Sequence, residues 1–383
     1  MKRKIIRITT VPGSLKGLLK GQLKFMSQYY EMIGVSSYHK EILEGLAEDE
    51  GVRVVPVNMT RQITPIRDLI ALRQLYKLLK KEKPFIVHTH TPKAGTLGMI
   101  AAKLARVPHR FHTVAGMPLL ESKGSKRKML NFVEKLTYSC ATKVYPNSKG
   151  LLEIIIDQKF CEASKLKVIG EGSSNGIDTS YFDPYLFTEK DNSLLKESLG
   201  IENDDYVFIF IGRLVADKGI NELVSAFNKL SSSNEKAKLL LVGTFEEELD
   251  PLKPETRQII DQNKRILSVG WQEDVRPFLA ISNMLTFPSY REGFPNVVMQ
   301  AGAMGLYSIV TDINGCNEII IEGENGTIIP VKNEESLYQK MLKGYRGHIK
   351  SDPVMCRQLI ENRFDRYYIW RAILEEYKKL ELS

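Results

Sequence analysis

The sequence predicts an α/β protein made of two doubly wound domains. Three observations carry that prediction. The chain has 383 residues, more than a single hydrophobic core usually serves. Short β-rich runs alternate with amphipathic stretches of roughly 10–15 residues, the pattern of βαβ units on a parallel sheet. The alternation occurs twice, on either side of a polar, turn-rich segment.

In the first half the strand signals fall at 5–10, 52–57, 85–88, 110–114, 142–146 and 166–169, and helical patterns lie between them at 38–48, 66–81, 94–105, 126–140 and 148–159. The run Asn175-Gly-Ile-Asp-Thr-Ser-Tyr-Phe-Asp-Pro184, followed by polar sequence to about Asn203, reads as a linker. The second half repeats the scheme, with buried-type strands at 206–211, 238–242, 266–269, 284–287 and 307–310. The last pattern, 365–380, is a helix carrying Tyr367, Tyr368, Trp370 and Tyr377, with no strand after it. It either caps the second domain or crosses back to the first. The expected division is 1–183, 184–364 and this terminal helix within 365–383.

Composition places the chain among soluble globular proteins, with 43% hydrophobic and 26% charged residues. No apolar run approaches the roughly 18–20 residues that span a bilayer. The opening Met-Lys-Arg-Lys-Ile-Ile-Arg-Ile is interrupted by Arg7 and reads as a first strand, not a signal peptide. Cys140, Cys161, Cys316 and Cys356 are scattered without metal-ligand spacing, which fits a reduced, cytoplasmic protein. Charge is divided unevenly. Residues 1–183 hold 30 Lys+Arg against 16 Asp+Glu, and the remainder holds 24 against 30, so a net of +14 faces a net of −6. The first half therefore looks toward an anionic partner: nucleic acid, a membrane surface, or a lipid diphosphate at that surface. The basic run Lys123-Gly-Ser-Lys-Arg-Lys128 and the pattern at 73–83 fit the membrane alternative.

Four segments carry chemistry. In Phe287-Pro-Ser-Tyr-Arg-Glu-Gly-Phe-Pro-Asn-Val-Val-Met-Gln300 a strand ends, a loop with Gly293 follows, and a helix starts at Pro295–Asn296. The first amides of that helix suit an anion or a sugar hydroxyl, and Glu292 and Gln300 can face one ligand. In Ile209-Phe-Ile-Gly-Arg-Leu-Val-Ala-Asp-Lys-Gly219, Arg213 and Lys218 can converge on a diphosphate across a strand-to-helix turn. Neither a P-loop nor a G-x-G-x-x-G pattern is present. The loop Val11-Pro-Gly-Ser-Leu-Lys-Gly-Leu-Leu-Lys-Gly21 follows the first strand, where a glycine loop would approach a phosphate and its leucines and lysines would touch headgroups. His88-Thr-His90 ends a strand and His112 lies on the next. No third metal ligand is evident, so these are read as cleft-lining hydrogen-bonding groups or as core histidines.

Taken together, Val87-His-Thr-His, Asn175-Gly-Ile-Asp with Phe182, Gly212-Arg213 with Lys218, Val269-Gly270, Glu292-Gly-Phe-Pro-Asn, and Thr311-Asp with Gly315 and Glu318 resemble the large retaining glycosyltransferase family with Glu-x7-Glu motif and GT-B fold. In that fold two Rossmann-like domains face a central cleft. His90-Thr-Pro-Lys-Ala-Gly95 and the run from Gly170 to Asp178 are similar to PglA-type enzymes, which extend undecaprenyl-diphosphate-linked sugars.

The resemblance implies roles. Arg213 and Lys218 would hold the donor diphosphate, Glu292 the transferred sugar, and the amides of Phe294, Asn296 and Val297 would assist. Gln300 would meet the ribose, the backbone near Val269 and Gly270 the base, and Gly13 the phosphates, with Gly212 also among the donor-binding residues. Lys16, His90 and His112 would line the cleft. The family usually has glutamate at position 300, where this chain has Gln, and often histidine at position 115, where it has Ala. No cofactor and no metal are implied. The expected partners are a nucleotide-sugar donor, a lipid-linked sugar diphosphate acceptor and an anionic membrane surface at the inner face of the cytoplasmic membrane, with no nucleic acid. Two other readings share these residues: a UDP-sugar 2-epimerase of the same fold, and a non-catalytic sugar-nucleotide or nucleic-acid binding protein.

Overall fold

The computed structural model describes residues 2–381 except 118, 120, 121 and 247–249. They form two compact units, Met1–Gly176 with Tyr367–Ser383, and Ile177–Arg366.

Unit 1 runs β1 (Lys4–Ile8), α1 (Pro12–Leu18), α2 (Gln22–Ser27), β2 (Glu31–Ser36), α3 (Lys40–Glu50), β3 (Arg53–Pro56), α4 (Pro65–Glu82), β4 (Ile86–Thr89), α5 (Pro92–Leu104), β5 (His109–Val114), α6 (Gly124–Cys140), β6 (Lys143–Pro146) and α7 (Lys149–Asp157). The strands form one parallel sheet in the order β3-β2-β1-β4-β5-β6. Each turn of the chain places a helix on a face, so the sheet is buried on both sides and its strands read as apolar runs. On one face Ala71, Leu75 and Leu79 of α4 join Ala101 and Ala102 of α5 and Val87 of β4. The other face is covered by Leu15, Leu19 and Leu23 together with Ile369, Ile373 and Tyr377. These last three belong to the terminal helix, α16 (Arg366–Lys379).

Unit 2 runs α8 (Glu189–Ser198), β7 (Tyr206–Ile211), α9 (Ile220–Ser231), β8 (Ala237–Val242), α10 (Pro254–Gln262), β9 (Ile266–Ser268), α11 (Arg276–Ala280), β10 (Met284–Phe287), α12 (Asn296–Ala303), β11 (Tyr307–Thr311), α13 (Cys316–Ile319), β12 (Gly326–Ile329), α14 (Glu334–Tyr345) and α15 (Pro353–Phe364). Its parallel sheet has the order β12-β11-β10-β7-β8-β9. The order reverses between β7 and β10, which pair through Met284↔Phe208 and Leu285↔Ile209. Loops leaving the carboxyl ends of these two strands diverge and open a crevice at that point. The chain closes with α16 (Arg366–Lys379), whose buried face returns to unit 1.

Several elements depart from the sequence reading. The segment 11–21 is not a glycine loop. Pro12 at the first helical position and the apolar pair Leu15 and Leu19 fold it into α1 and its C-cap, with both leucines buried. Strand β2 carries no clear signal because Gly34 interrupts it. That glycine is used for packing, since a Cβ there would lie 3.0 Å from Leu15 Cδ2. Strand β12 opens on Gly326 and is only four residues long. Residues 166–169 make a single bridge, Leu166 to Val144, and no strand. The polar stretch after Pro184 contains α8, started by a Thr188–Asp191 capping box. The division between units falls at Gly176–Ile177, ahead of the expected 183–184, because Ile177 and Phe182 bury in the core of unit 2. All four cysteines are free. Among the described residues no helix is long and apolar enough to cross a membrane.

Candidate active site

The crevice of unit 2 collects most of the donor residues singled out in the sequence. Strand β7, Tyr-Val-Phe-Ile-Phe-Ile, is held between helices by its apolar side chains. It releases the chain at Gly212, and Arg213 follows at the open edge. A short 3-10 turn, Ala216–Lys218, then ends in Gly219, whose left-handed φ of 71° starts α9. Gly219 is required for a second reason: a Cβ would sit 2.1 Å from the Pro288 carbonyl oxygen. The loops after β7 and β10 thus touch backbone to backbone, and the Tyr290 amide donates to the Asp217 carbonyl at 2.8 Å.

This close approach brings Lys218 onto Glu292. The two form a half-buried ion pair, and Ser289 Oγ donates to the same carboxylate oxygen at 3.0 Å. The Lys218 ammonium also lies 5.9 Å from the centre of the Phe287 ring. Ser289 is itself fixed, because the Thr311 hydroxyl donates to its carbonyl. The turn after β11 packs equally tightly: a Cβ on Gly315, at φ 75°, would meet Gly293 O and Phe294 Cα at 2.7 Å. Arg213 reaches Glu246 at 2.8 Å and stays nearly half exposed. That hydrogen bond raises the guanidinium pKa above its ordinary value. Asp217 takes Arg291 at 2.6 Å, and its amide donates to Asp250 at 2.6 Å. Burial, with Asp250 and Glu292 nearby, lifts the Asp217 carboxyl above the usual range.

Phe294 is buried with its ring against Phe364, 5.3 Å between centroids. Pro295 precedes α12 and offers no side-chain cap, so Asn296 and Val297 present the first helical amides to the loop. Gln300, four residues after Asn296 and three after Val297, lies on the same side of α12 and is partly exposed. At the far side of β7, the Gly243 amide donates to the Gly270 carbonyl at 2.8 Å, and the Gln272 side chain donates to the Val269 carbonyl at 2.8 Å. The space beside Gly270 is open. From Glu292 through Lys218 and Arg213 to Gly270, the groups follow the strand order β10-β7-β8-β9 along one edge of one sheet.

Residues 191–363 match the model for glycosyl transferases group 1, and residues 38–172 match that for a glycosyl transferase 4-like domain. A capsular polysaccharide biosynthesis glycosyltransferase, CapM of Staphylococcus aureus, is 33% identical over 98% of this chain and 97% of its own. The chain belongs to this glycosyltransferase family. The Escherichia coli UDP-Gal:alpha-D-GlcNAc-diphosphoundecaprenol alpha-1,3-galactosyltransferase is 31% identical, over 83% of this chain and 81% of its own. The crystal structure of Anabaena HepE in complex with UDP superposes with a TM-score of 0.80 at 19% identity, covering 99% of this chain and all of the other. The two parallel sheets with flanking helices are those of a GT-B fold.

The glycosyltransferase's unit 1 holds the remaining sequence candidates, and it buries two of them. His90 and His112 do not line an accessible wall; they are 2% and 3% exposed. His112 Nδ1 bonds Thr89 Oγ1 at 2.8 Å, and its ring fills the space over Gly95, where a Cβ would come within 2.4 Å. His90 Nε2 accepts from Arg7 Nε at 2.9 Å. Arg7 is completely buried, and its other bonds go to Tyr377 Oη at 2.9 Å and to Gln22 Oε1. His88 bonds Tyr377 at 2.6 Å and Thr113 at 2.7 Å. Both nitrogens of His88 thus lie on hydroxyls, whereas the buried Nδ1 of His90 has no hydrogen-bond partner among the described residues. Gly13 and Lys16 are exposed on α1.

Reading the sequence did not pick out Asp217, Ser289 or Arg7. Asp217 lies between Arg213 and Lys218 in the turn after β7. Ser289 announces itself only through the fold, which sets it behind Glu292. Arg7 carried a signal, a charge inside an apolar strand, and was noted only as an interruption.

Proposed function

We propose that this glycosyltransferase moves a hexose or N-acetylhexosamine from a UDP-sugar to a lipid-diphosphate-linked sugar in bacterial surface-glycan assembly, with retention of anomeric configuration. The observation that carries the reading is the row of groups along the carboxyl edge of the unit 2 sheet. Glu292, the carboxylate that would meet the sugar, stands in the loop after β10. The cations Lys218 and Arg213 follow in the loop after β7, and Gly270, with open space beside it, follows β9. A nucleotide sugar has the same linear order of sugar, diphosphate and base. Glu292 accepts from a sugar hydroxyl. Lys218 and Arg213 meet the charge that grows on the diphosphate as the glycosidic bond breaks, which is catalysis by fixed electrostatics. The amides of Asn296 and Val297 add donors at a helix start. Gln300 accepts from the ribose through its carbonyl oxygen. No metal and no cofactor enter the scheme.

Retention is supported by chemistry. The E. coli relative makes an alpha-1,3 linkage from UDP-Gal, and UDP-galactose is itself an α-glycoside of the diphosphate. Attack on the face that the diphosphate leaves, with the leaving oxygens taking the acceptor proton, preserves the configuration. The lipid acceptor and a peripheral position on the inner face of the cytoplasmic membrane are supported by that relative's acceptor and by the basic first unit. The test is a panel of UDP- and GDP-sugars with lipid-diphosphate sugar acceptors, read by mass spectrometry, with the anomer of the product read by NMR. Transfer from a UDP-sugar giving an α product is expected. Isomerised donor in the absence of acceptor would make the protein an epimerase instead.

A further inference from the structure

The helical layer α4–α5–α6 of unit 1 segregates its charges in a way that ordinary solvated helices do not. The three helices carry eleven Lys and Arg and three acids, and each acid is paired or half-buried. Asp68 pairs with Lys93 of α5. Glu82 pairs with Lys4 and Arg53 and is 7% exposed at its side chain. Glu134 is half-buried, and that burial raises its carboxyl pKa. The outward face therefore offers cations without exposed acids.

The same face exposes large apolar groups. On α4 the buried stripe is Ala71, Leu75 and Leu79. The opposite stripe runs Ile66, Ile70, Arg73, Lys77, at helical spacing. Ile66 is 79% exposed and Leu69, beside it, 67%. On α6 the exposed stripe is Lys128, Met129, Phe132 and Lys135, with Phe132 66% exposed. Both apolar groups stand in the first half of their helices. Both helices start from the same carboxyl edge of the sheet and pack on α5 between them. Thr96 of α5 bonds Thr137 of α6 at 3.0 Å, so the layer is cross-tied on both sides.

We infer that this face is a docking surface for an anionic phospholipid bilayer, with Ile66, Leu69, Ile70 and Phe132 entering the headgroup–acyl boundary and the flanking lysines and arginines meeting lipid phosphates. The charge complementarity selects an anionic partner, and the exposed isoleucines, leucine and phenylalanine select a bilayer over nucleic acid, whose phosphate backbone gives apolar side chains nothing to enter. The inference deepens the reading of a lipid-linked acceptor and rests on it: a short hydrophilic sugar diphosphate requires presentation at a surface only when its anchor is in the membrane.

The experiment is co-sedimentation of the full chain with phosphatidylglycerol–phosphatidylcholine vesicles and with pure phosphatidylcholine vesicles. The wild type is compared with Ile66→Ser/Leu69→Ser/Phe132→Ser and with Lys128→Glu/Lys135→Glu. All five positions are exposed, and circular dichroism checks the fold of each variant. Binding to the anionic vesicles only is expected. The apolar variant should lose about ten-fold or more in partition, and the charge variant should lose a similar factor that salt abolishes in the wild type. Transfer to a short-chain, detergent-free acceptor should be unchanged in both variants. That arm separates the two ideas. No transfer by any form defeats the acceptor reading and leaves vesicle binding to be judged separately. Vesicle binding unaffected by the substitutions overturns the docking face, as does a wild type that ignores anionic vesicles. Binding to an oligonucleotide in place of vesicles, or concentration-dependent dimerisation in sedimentation velocity that Phe132→Ser removes, assigns the face to another occupant and also overturns the proposal.

Discussion

At the scale of single residues, the crevice of unit 2 presents two cations that are already paired but not to the same degree. Lys218 shares a half-buried pair with Glu292, supported by Ser289. Arg213 holds Glu246 near the surface, where such pairs contribute about 0–1 kcal/mol. A diphosphate therefore displaces Glu246 easily, whereas Lys218 and Glu292 can remain together, one reaching phosphate and the other sugar. Lys218→Met and Arg213→Ala should each lower kcat by about 10²–10³, the usual loss when a fixed stabiliser of developing charge is removed. Glu246→Gln should leave kcat intact and tighten UDP binding by no more than about five-fold, the ceiling set by a surface pair. Steady-state kinetics with the active donor and calorimetric titration of UDP check both. A Glu246→Gln variant with turnover as low as that of Arg213→Ala would remove Arg213 from the site.

At the scale of elements, β4 and β5 form a layer of buried histidines. Burial is the main cause that holds His88 and His90 far below the ordinary imidazole value, with the Arg7 charge adding to it, and burial lowers His112 to about 4. All three are therefore neutral in the folded chain near neutral pH. The unfolded chain protonates them near 6.5. Below that pH the unfolded state holds more protons, so stability is complete above it and falls as pH drops toward about 4, by roughly 1.4 kcal/mol per pH unit for each histidine. The melting temperature of unit 1 should fall steeply between pH 6.5 and 5, before most carboxylates titrate, and His112→Gln should flatten the slope. Equal slopes in the two proteins would mean that His112 is not held neutral by burial. This layer also marks where sequence reading reached its limit. Most strands were legible, because a parallel sheet covered on both faces demands runs such as Val-Phe-Ile-Phe-Ile; β2 and β12, each containing a glycine, were not. The motif carrying Lys218 and that carrying Glu292 were legible because glycine and proline punctuate strand ends. Whether a strand-end histidine faces solvent or protein depends on what the chain brings over it, and here the cover is Tyr377, almost three hundred residues away. The same holds for α1: its leucines look like a lipid-facing loop until α16 and β2 are seen to bury them.

At the scale of the whole molecule, each unit has its own hydrophobic core. One gathers residues from Ile177 to Phe364 only, and the other two draw on the first 176 residues and α16. The groups assigned to the donor, Gly13 on α1 apart, lie in unit 2. Ligand binding stabilises only the unit that folds around the ligand, by about 2.7 kcal/mol at a hundred-fold excess over Kd. For a unit of this size that corresponds to a rise of roughly 5–10 °C. The chain's two tryptophans separate the units: Trp370 is buried in unit 1 with its indole N–H donating to Asn175 at 2.7 Å, and Trp271 stands exposed in unit 2 next to Gly270. Trp271→Phe removes an exposed ring and leaves fluorescence that reports unit 1 alone. In the wild type, UDP should quench Trp271 and raise the transition that it reports. In Trp271→Phe, the transition seen through Trp370 should move far less, because only Gly13 of the donor groups belongs to that unit. If UDP raises the Trp370 transition by the full amount while leaving hydrogen exchange unchanged across 212–220 and 289–300, the nucleotide binds to unit 1, and the row from Glu292 to Gly270 is not the donor site.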